Sequence, residues 1–239
     1  MTRQAGLLLN YREVPYQAAW NGQRSMVAAR RAGTIPDSMV ILHHPPTYTI
    51  GRSGSRANVL FSEAERHSAG IELVDVDRGG DATYHGPGQV VGYPIIDLRS
   101  RGCDVHAHLR ALEDVLIRTL NDLGIHGERD DRFTGVWVEN AKIAAIGIKV
   151  SNGISSHGFA LNLDPRFDHW SGIVACGIPD RDVTSLRQVM QCEPNDAFVR
   201  ERLVHHAADV FDRDWQIPNT PLVSRLIGEF ADFTTVEAC

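Results

Sequence analysis

Strand-like and helix-like segments are unevenly spread along this 239-residue chain, and their distribution narrows the choice of fold more than any other feature. Short β-branched runs bounded by turn residues fall between about residues 38 and 165: Met39–Leu42, Glu72–Val76, Val90–Ile96, Gly135–Val138, Ile143–Val150 and Phe159–Leu163. Helical patterns are interspersed early and dominate late. Val105, Leu109, Leu112, Leu116, Leu120 and Leu123 form one stripe that ends at Gly124. Val199, Leu203, His206 and Val210 form another, capped by Asn195 or Asp196. Ser62 and Glu65 fit a capping box on a short helix that stops at Gly70. A less periodic helix fits residues 15–32, and Thr220-Pro221 opens a last one. Without strict strand–helix alternation, the expectation is an α+β chain: a single domain over residues 1–239, a mixed β-sheet with flanking helices, and a helical C-terminal part over about 195–230.

Composition removes several classes. Hydrophobic residues make up 43% of the chain, ordinary for a packed protein, yet no apolar run approaches the ~18–20 residues of a membrane helix. The apolar stretch near the N-terminus is too short for a secretory segment, and the four cysteines, at 103, 176, 192 and 239, form no CxxC pair. A cytoplasmic protein with free thiols is expected. The net charge of −6 argues against nucleic acid as a partner. Residues 1–75 carry 8 basic and 6 acidic side chains, the rest 16 and 24, so an acidic partner would dock on the first third. Of 24 basic residues, 22 are arginine, and only Lys142 and Lys149 are lysine. An amine can act as a proton carrier, which a guanidinium cannot, so these two positions stand out.

Three segments carry candidate chemistry. In Arg78-Gly79-Gly80-Asp81-Ala82-Thr83-Tyr84-His85-Gly86-Pro87-Gly88-Gln89, the glycines permit close backbone approach to a ligand. Arg78 could hold a carboxylate or phosphate there, and Tyr84 and His85 could orient a substrate. The same run also suits a plain strand–turn–strand connection, and it is neither a Walker A nor a GxGxxG motif. In the second segment, Lys142 is followed by Ala145, Ile146, Gly147 and Lys149, then by His157, Gly158 and Ala160. Small side chains beside a strand leave room for an elongated ligand. A solvated strand end for either lysine and a hydrogen-bonded core position for His157 are the plainer readings. The third segment places Cys176 before Gly177 at a turn, where backbone N–H groups can lower a thiol pKa or form an oxyanion hole; a buried structural cysteine is the alternative. Adjacent histidines such as His43 and His44 point to opposite faces of a strand and do not chelate together, the pairs His106/His108 and His205/His206 are read as equally weak, and no metal site is expected.

Taken together these segments resemble the octanoyltransferase family of lipoate biosynthesis, the lipoyl(octanoyl) transferases. The resemblance rests on His44-Pro45-Pro46-Thr47-Tyr48-Thr49-Ile50-Gly51, Arg78 to Gln89, Gly135 to Gly147, His157 to Asn162, and Cys176 to Leu186, in order over about 38–190. Two positions depart from the family pattern: His43 stands where glutamate is usual, at the expected pocket edge, and Ala175 where proline is usual. The resemblance implies an α+β domain related to biotin and lipoate ligases. It also implies a catalytic dyad of Cys176 and Lys142, favouring Lys142 over Lys149, and a substrate pocket that includes His44. The implied reaction passes an octanoyl group from octanoyl-acyl carrier protein to a lysine of lipoyl domains of 2-oxoacid dehydrogenases or of the glycine cleavage H protein. It needs no ATP and no cofactor, because thioester to amide is downhill. The alternatives are an ATP-dependent lipoate- or biotin-type ligase, which has no use for a thiol at 176, and a non-catalytic acyl-binding module.

Overall fold

The computed structural model describes residues 3–102, 104–174 and 182–218. Cys103, Cys176, Cys239 and the helix expected from Thr220-Pro221 lie outside the described residues. The chain begins with β1 (Gln4–Glu13) and α1 (Tyr16–Arg31), then β2 (Ser38–His43) and β3 (Thr47–Ile50). Next come α2 (Glu63–Ser68), β4 (Glu72–Asp75), β5 (Ala82–His85), β6 (Gln89–Ile95) and α3 (Val105–Asp122). A hairpin stack follows, β7 (Val136–Val138), β8 (Ala141–Ser151) and β9 (Ile154–Asn162), then α4 (Phe167–Trp170). The described part closes with β10 (Asp182–Val183), α5 (Leu186–Met190), α6 (Asp196–Phe211) and β11 (Arg213–Gln216).

The large sheet has the order β10-β8-β9-β6-β2-β1-β11, with β7 also paired to β8; a smaller one has the order β4-β3-β5. β1 lies parallel to both β2 and β11, and β2, β6, β9 and β8 pair antiparallel in turn. The mixed α+β architecture follows from the sequence pattern, but the strands are not confined to residues 38–165. β1 was not legible because Leu7, Leu8 and Leu9 run continuously apolar. The structure explains why: Leu7 and Leu9 face one core, under α1, and Leu8 faces the other, under α3 and α6. A strand buried on both faces loses its alternation. β11 interrupts the helical C-terminal part expected over 195–230. It pairs with the start of β1, and Arg213 reaches the fully buried Asp37 at 2.7 Å.

Local signals that rest on hydrogen bonds held to the residue. Ser62 and Glu65 form the reciprocal capping box of α2, and Asn195 caps α6 through the N–H of Phe198. Asp104 caps α3 by accepting from Ala107. None of the helices among the described residues is long and apolar enough to cross a membrane.

Candidate active site

A cavity of about 420 Å³ lies where β5, β8 and β9 meet the segment before β7. That is within the ~300–1,000 Å³ range of small-ligand sites. Val91, Leu109, Ile146, Ile148 and Phe159 supply an apolar lining, and Lys142, His85, His157 and Tyr16 are among the polar groups set into it. Of the residues singled out in the sequence, the structure gathers Arg78, Gly79, Gly80, His85, Lys142, Ala145, Ile146, Gly147, His157, Gly158 and Ala160 around this one space.

Lys142 is only 8% exposed, rare for a lysine, and its strand explains that. β8 is flanked by β7 and β10, with Trp137 opposite Lys142 on one side and Val183 on the other. The Lys142 Nζ lies 4.8 Å from the centre of the Trp137 ring, a cation–π distance. Lys149 does not line the cavity. It bonds to Asp77 at 2.5 Å, and Asp77 also accepts from His157 Nε2 at 2.8 Å. Burial pushes the Asp77 carboxyl up, but the bonds from Lys149 and His157 prevail and hold it below its ordinary value. His157 adopts a left-handed backbone, φ 55°, unusual for a non-glycine residue. It departs locally from the alternation in which Phe159 and Leu161 face the α3 core, and its ring lies beside Trp20 of α1.

Burial keeps the imidazoles and the Tyr16 phenol of the far wall uncharged, beside the cationic Arg78. Burial drives the pKa of His85 well below 6.5, with His44 and Arg78 adding to the effect, and burial likewise lowers His157. Burial pushes Tyr16 up to about 12, so its hydroxyl stays protonated. His85 and His157 each keep a buried Nδ1 without a hydrogen-bond partner among the described residues. Arg78 knots the glycine-rich loop: its guanidinium donates to the Thr49 carbonyl and hydroxyl at 2.9 and 2.8 Å, to the Asp81 carbonyl at 2.8 Å and to the Gly79 carbonyl at 2.9 Å. Gly147 must lack a side chain because a Cβ there would stand 2.9 Å from the Gly79 carbonyl oxygen, where the loop crosses β8.

Three expected pocket residues lie behind the wall. β5 alternates, so Thr83 and His85 face the cavity while Tyr84 turns into a satellite cluster with Tyr48 and Ile173. Gly86 accommodates that turn: a Cβ would meet the Tyr84 hydroxyl at 2.0 Å. His44 is fully buried, bonded to the Val14 carbonyl and the Tyr93 hydroxyl, both at 2.6 Å, and its ring supports those of Tyr16 and His85. His43, expected at the pocket edge, instead meets Asp196 of α6 at 3.0 Å. Tyr16, Arg132, Phe133 and Thr134 also line the cavity and carry no motif that marks them. The last two directly precede the Gly135 stretch, so proximity to that stretch was the one usable signal.

Cys176 lies outside the described residues, but the chain on either side is anchored. Val174 donates to the Asn58 carbonyl at 2.8 Å, and Ile173 bridges to Val59. Asp182 and Val183 pair with Ala141 and Lys142, and the Thr184 N–H donates to the Lys142 carbonyl at 3.0 Å. The Thr184 carbonyl accepts from Asn162, which is bonded in turn to Gln89 at 2.9 Å. Among the described residues, His205, His206 and Asp209 are close enough to share a metal ion, but Asp209 pairs with Arg3 and His206 with Asp122.

The fold and cavity define an α+β domain with an apolar cavity beside a buried lysine. Residues 15–208 match the lipoyl protein ligase A/B catalytic domain, and the chain belongs to that family. The octanoyltransferase of Chloroflexus aurantiacus is 46% identical, covering 83% of this chain and 91% of the relative. That of Rubrobacter xylanophilus is 49% identical, covering 80% and 86%. A crystal structure of lipoate-protein ligase A bound with ATP superposes with a TM-score of 0.72 at 18% identity, covering 97% of this chain and 95% of the other. The bipartite lipoate protein ligase of Thermoplasma acidophilum gives 0.72 at 17%, covering 97% and 93%.

Proposed function

We propose that this chain is an octanoyltransferase that moves an octanoyl group from octanoyl-acyl carrier protein to a lysine of lipoyl domains, through a thioester on Cys176. The acceptors are the lipoyl domains of 2-oxoacid dehydrogenases and the glycine cleavage H protein. The observation that carries the mechanism is that one of the chain's two lysines, Lys142, is buried in the wall of an apolar cavity, and its own strand pairs with the residues that follow the Cys176 segment. The relatives named octanoyltransferase, at 46% and 49% identity, support the reaction class.

In the first step the Cys176 thiol gives its proton to the Lys142 amine, and the thiolate attacks the thioester carbonyl. The new C–S bond joins the octanoyl group to Cys176, the bond to the carrier's thiol breaks, and that thiol leaves with the proton from Lys142. In the second step the substrate lysine attacks, the C–N bond forms and the C–S bond breaks. Lys142 takes the proton from the incoming amine and passes it to the leaving Cys176 thiolate, which restores both groups. The apolar lining suits an acyl chain, and the small residues Ala145, Gly147 and Ala160 leave room for it. The remaining expected pocket residues act on this reading as support: Arg78 with Gly79 and Gly80 shapes the loop, His85, His157 and Gly158 form the wall, Ile146 meets the chain, and Tyr84, Gly86 and His44 brace from behind.

The acidic carrier docks on the N-terminal third, with Arg52 and Arg56 as first candidates, and the reaction runs in the cytoplasm. The likeness to the ATP-bound ligase, at 18% identity, bears on the fold alone. Single-turnover transfer from octanoyl-carrier protein to a lipoyl domain, without ATP, tests the function. Octanoylated product is the expected result, and a strict ATP requirement would replace this reading with the ligase.

A further inference from the structure

Glu113 is a buried acid that the mechanism does not use. It sits on the leucine stripe of α3, four residues after Leu109, with its side chain 2% exposed. Its Oε2 accepts from Arg110 Nη1 at 2.8 Å and from Arg129 Nε at 3.0 Å, and its Oε1 accepts from the Gly135 N–H at 3.4 Å. One carboxylate therefore grips both ends of the 129–135 segment.

That segment borders the active site. Arg132, Phe133 and Thr134 line the cavity. Gly135, at φ 131°, lies against the stem of Lys142: a Cβ there would be 3.4 Å from Cε and 3.5 Å from Cδ. Just beyond it, Trp137 carries the ring beside Lys142 Nζ. A leucine-packed helix has no packing need for an ion pair, and apolar replacements of such pairs are often neutral or stabilising. A directional hold on a loop is what the carboxylate supplies here and a leucine would not.

We infer that Glu113 and Arg129 form a latch that fixes the 129–135 strap and through it aims the Lys142 amine. Both are positioning residues: neither lines the cavity, and each acts through Gly135 and its neighbours. The inference rests on the reading of Lys142 as the proton carrier, and it adds the device that orients it.

Arg129 offers the cleaner test, because it is 39% exposed and its removal leaves Glu113 paired with Arg110. Displacing a reacting group by about 1 Å costs on the order of 10² in rate, so Arg129→Gln should lower kcat by ~10–100-fold and move the KM for octanoyl-carrier protein by less than about threefold. The thermal midpoint should stay at the wild-type value. Arg129→Lys, which can still reach the carboxylate, should recover most of the rate, and Glu113→Gln should show the same kcat loss. Lys142→Arg is measured alongside. Wild-type kcat in Arg129→Gln, with Lys142→Arg inactive, overturns the latch and leaves the role of Lys142 standing. A kcat loss that tracks a lowered thermal midpoint and is not recovered by Arg129→Lys also overturns it. An active Lys142→Arg instead overturns the proton-carrier reading on which the latch rests.

Discussion

Replacing Ala145 with leucine should shorten the acyl chain that the enzyme prefers. Ala145 faces Ala160 directly across the β8–β9 ladder, and both line the cavity. Leucine sets an isobutyl group where a methyl stood, occupying space otherwise open to about three carbons of the octanoyl tail. Each methylene kept from an apolar site forfeits ~0.8 kcal/mol, so three forfeit ~2.4 kcal/mol. At ~1.36 kcal/mol per factor of ten this is about a 60-fold loss in kcat/KM for octanoyl. A pentanoyl chain, three carbons shorter, loses none of that contact. Octanoyl- and pentanoyl-carrier protein should be offered in competition to one enzyme preparation, and the acylated lipoyl domain sorted by mass. The ratio does not depend on how much of the variant is folded. An unchanged product ratio, or equal slowing of both chains, would refute the placement of the tail between Ala145 and Ala160.

Lys142→Arg should lose ~10²–10⁴ in transfer rate, because a guanidinium cannot exchange the proton, whereas Lys149→Arg should be mild since arginine can keep the bond to Asp77; steady-state assays of both decide it, and the opposite ranking would give the proton carrier's role to Lys149. Docking of the acidic carrier on Arg52 and the exposed Arg56 should weaken with salt, screened over about 8–10 Å at physiological ionic strength, and a salt-independent KM would count against that surface. Stability should fall as pH drops from about 6.5 to 4. Burial lowers His44 and His108 to about 4, so the unfolded chain binds protons there that the folded one refuses, at ~1.4 kcal/mol per pH unit for each histidine. His108 has no hydrogen-bond partner for its ring among the described residues, so His108→Leu should remove one histidine's share of that slope in urea unfolding at pH 7 and 5; an unchanged slope would clear His108 of the effect.

What could be read from the sequence followed the kind of force involved. The α3 stripe, the α2 capping box and the Asn195 cap are local patterns, and each appears where its residues imply. β1 and β11 were hidden because their partners are far away in the chain and β1 is buried on both faces. β3 and β5 lie inside the motif segments His44–Gly51 and Arg78–Gln89, outside the assigned strand runs, and only the second carries a strand–turn–strand reading. About half of the cavity wall lies in the glycine-rich loop and the lysine strand that the sequence singles out, yet Tyr84 and His85, both expected to contact substrate, are adjacent on a strand and face opposite sides. Glu113 carries a local signal of its own: a carboxylate four residues after Leu109, on the apolar stripe of a helix, must have partners to be there.

The acyl-enzyme itself is open to direct weighing. Intact-protein mass spectrometry after brief mixing with octanoyl-acyl carrier protein, without ATP or acceptor, should show one octanoyl group on the wild-type chain and none on Cys176→Ala. That adduct should disappear, with loss of the group to the lipoyl domain, when acceptor is added. An unmodified wild-type chain that still octanoylates the lipoyl domain, or a Cys176→Ala chain that carries the adduct, would contradict transfer through Cys176.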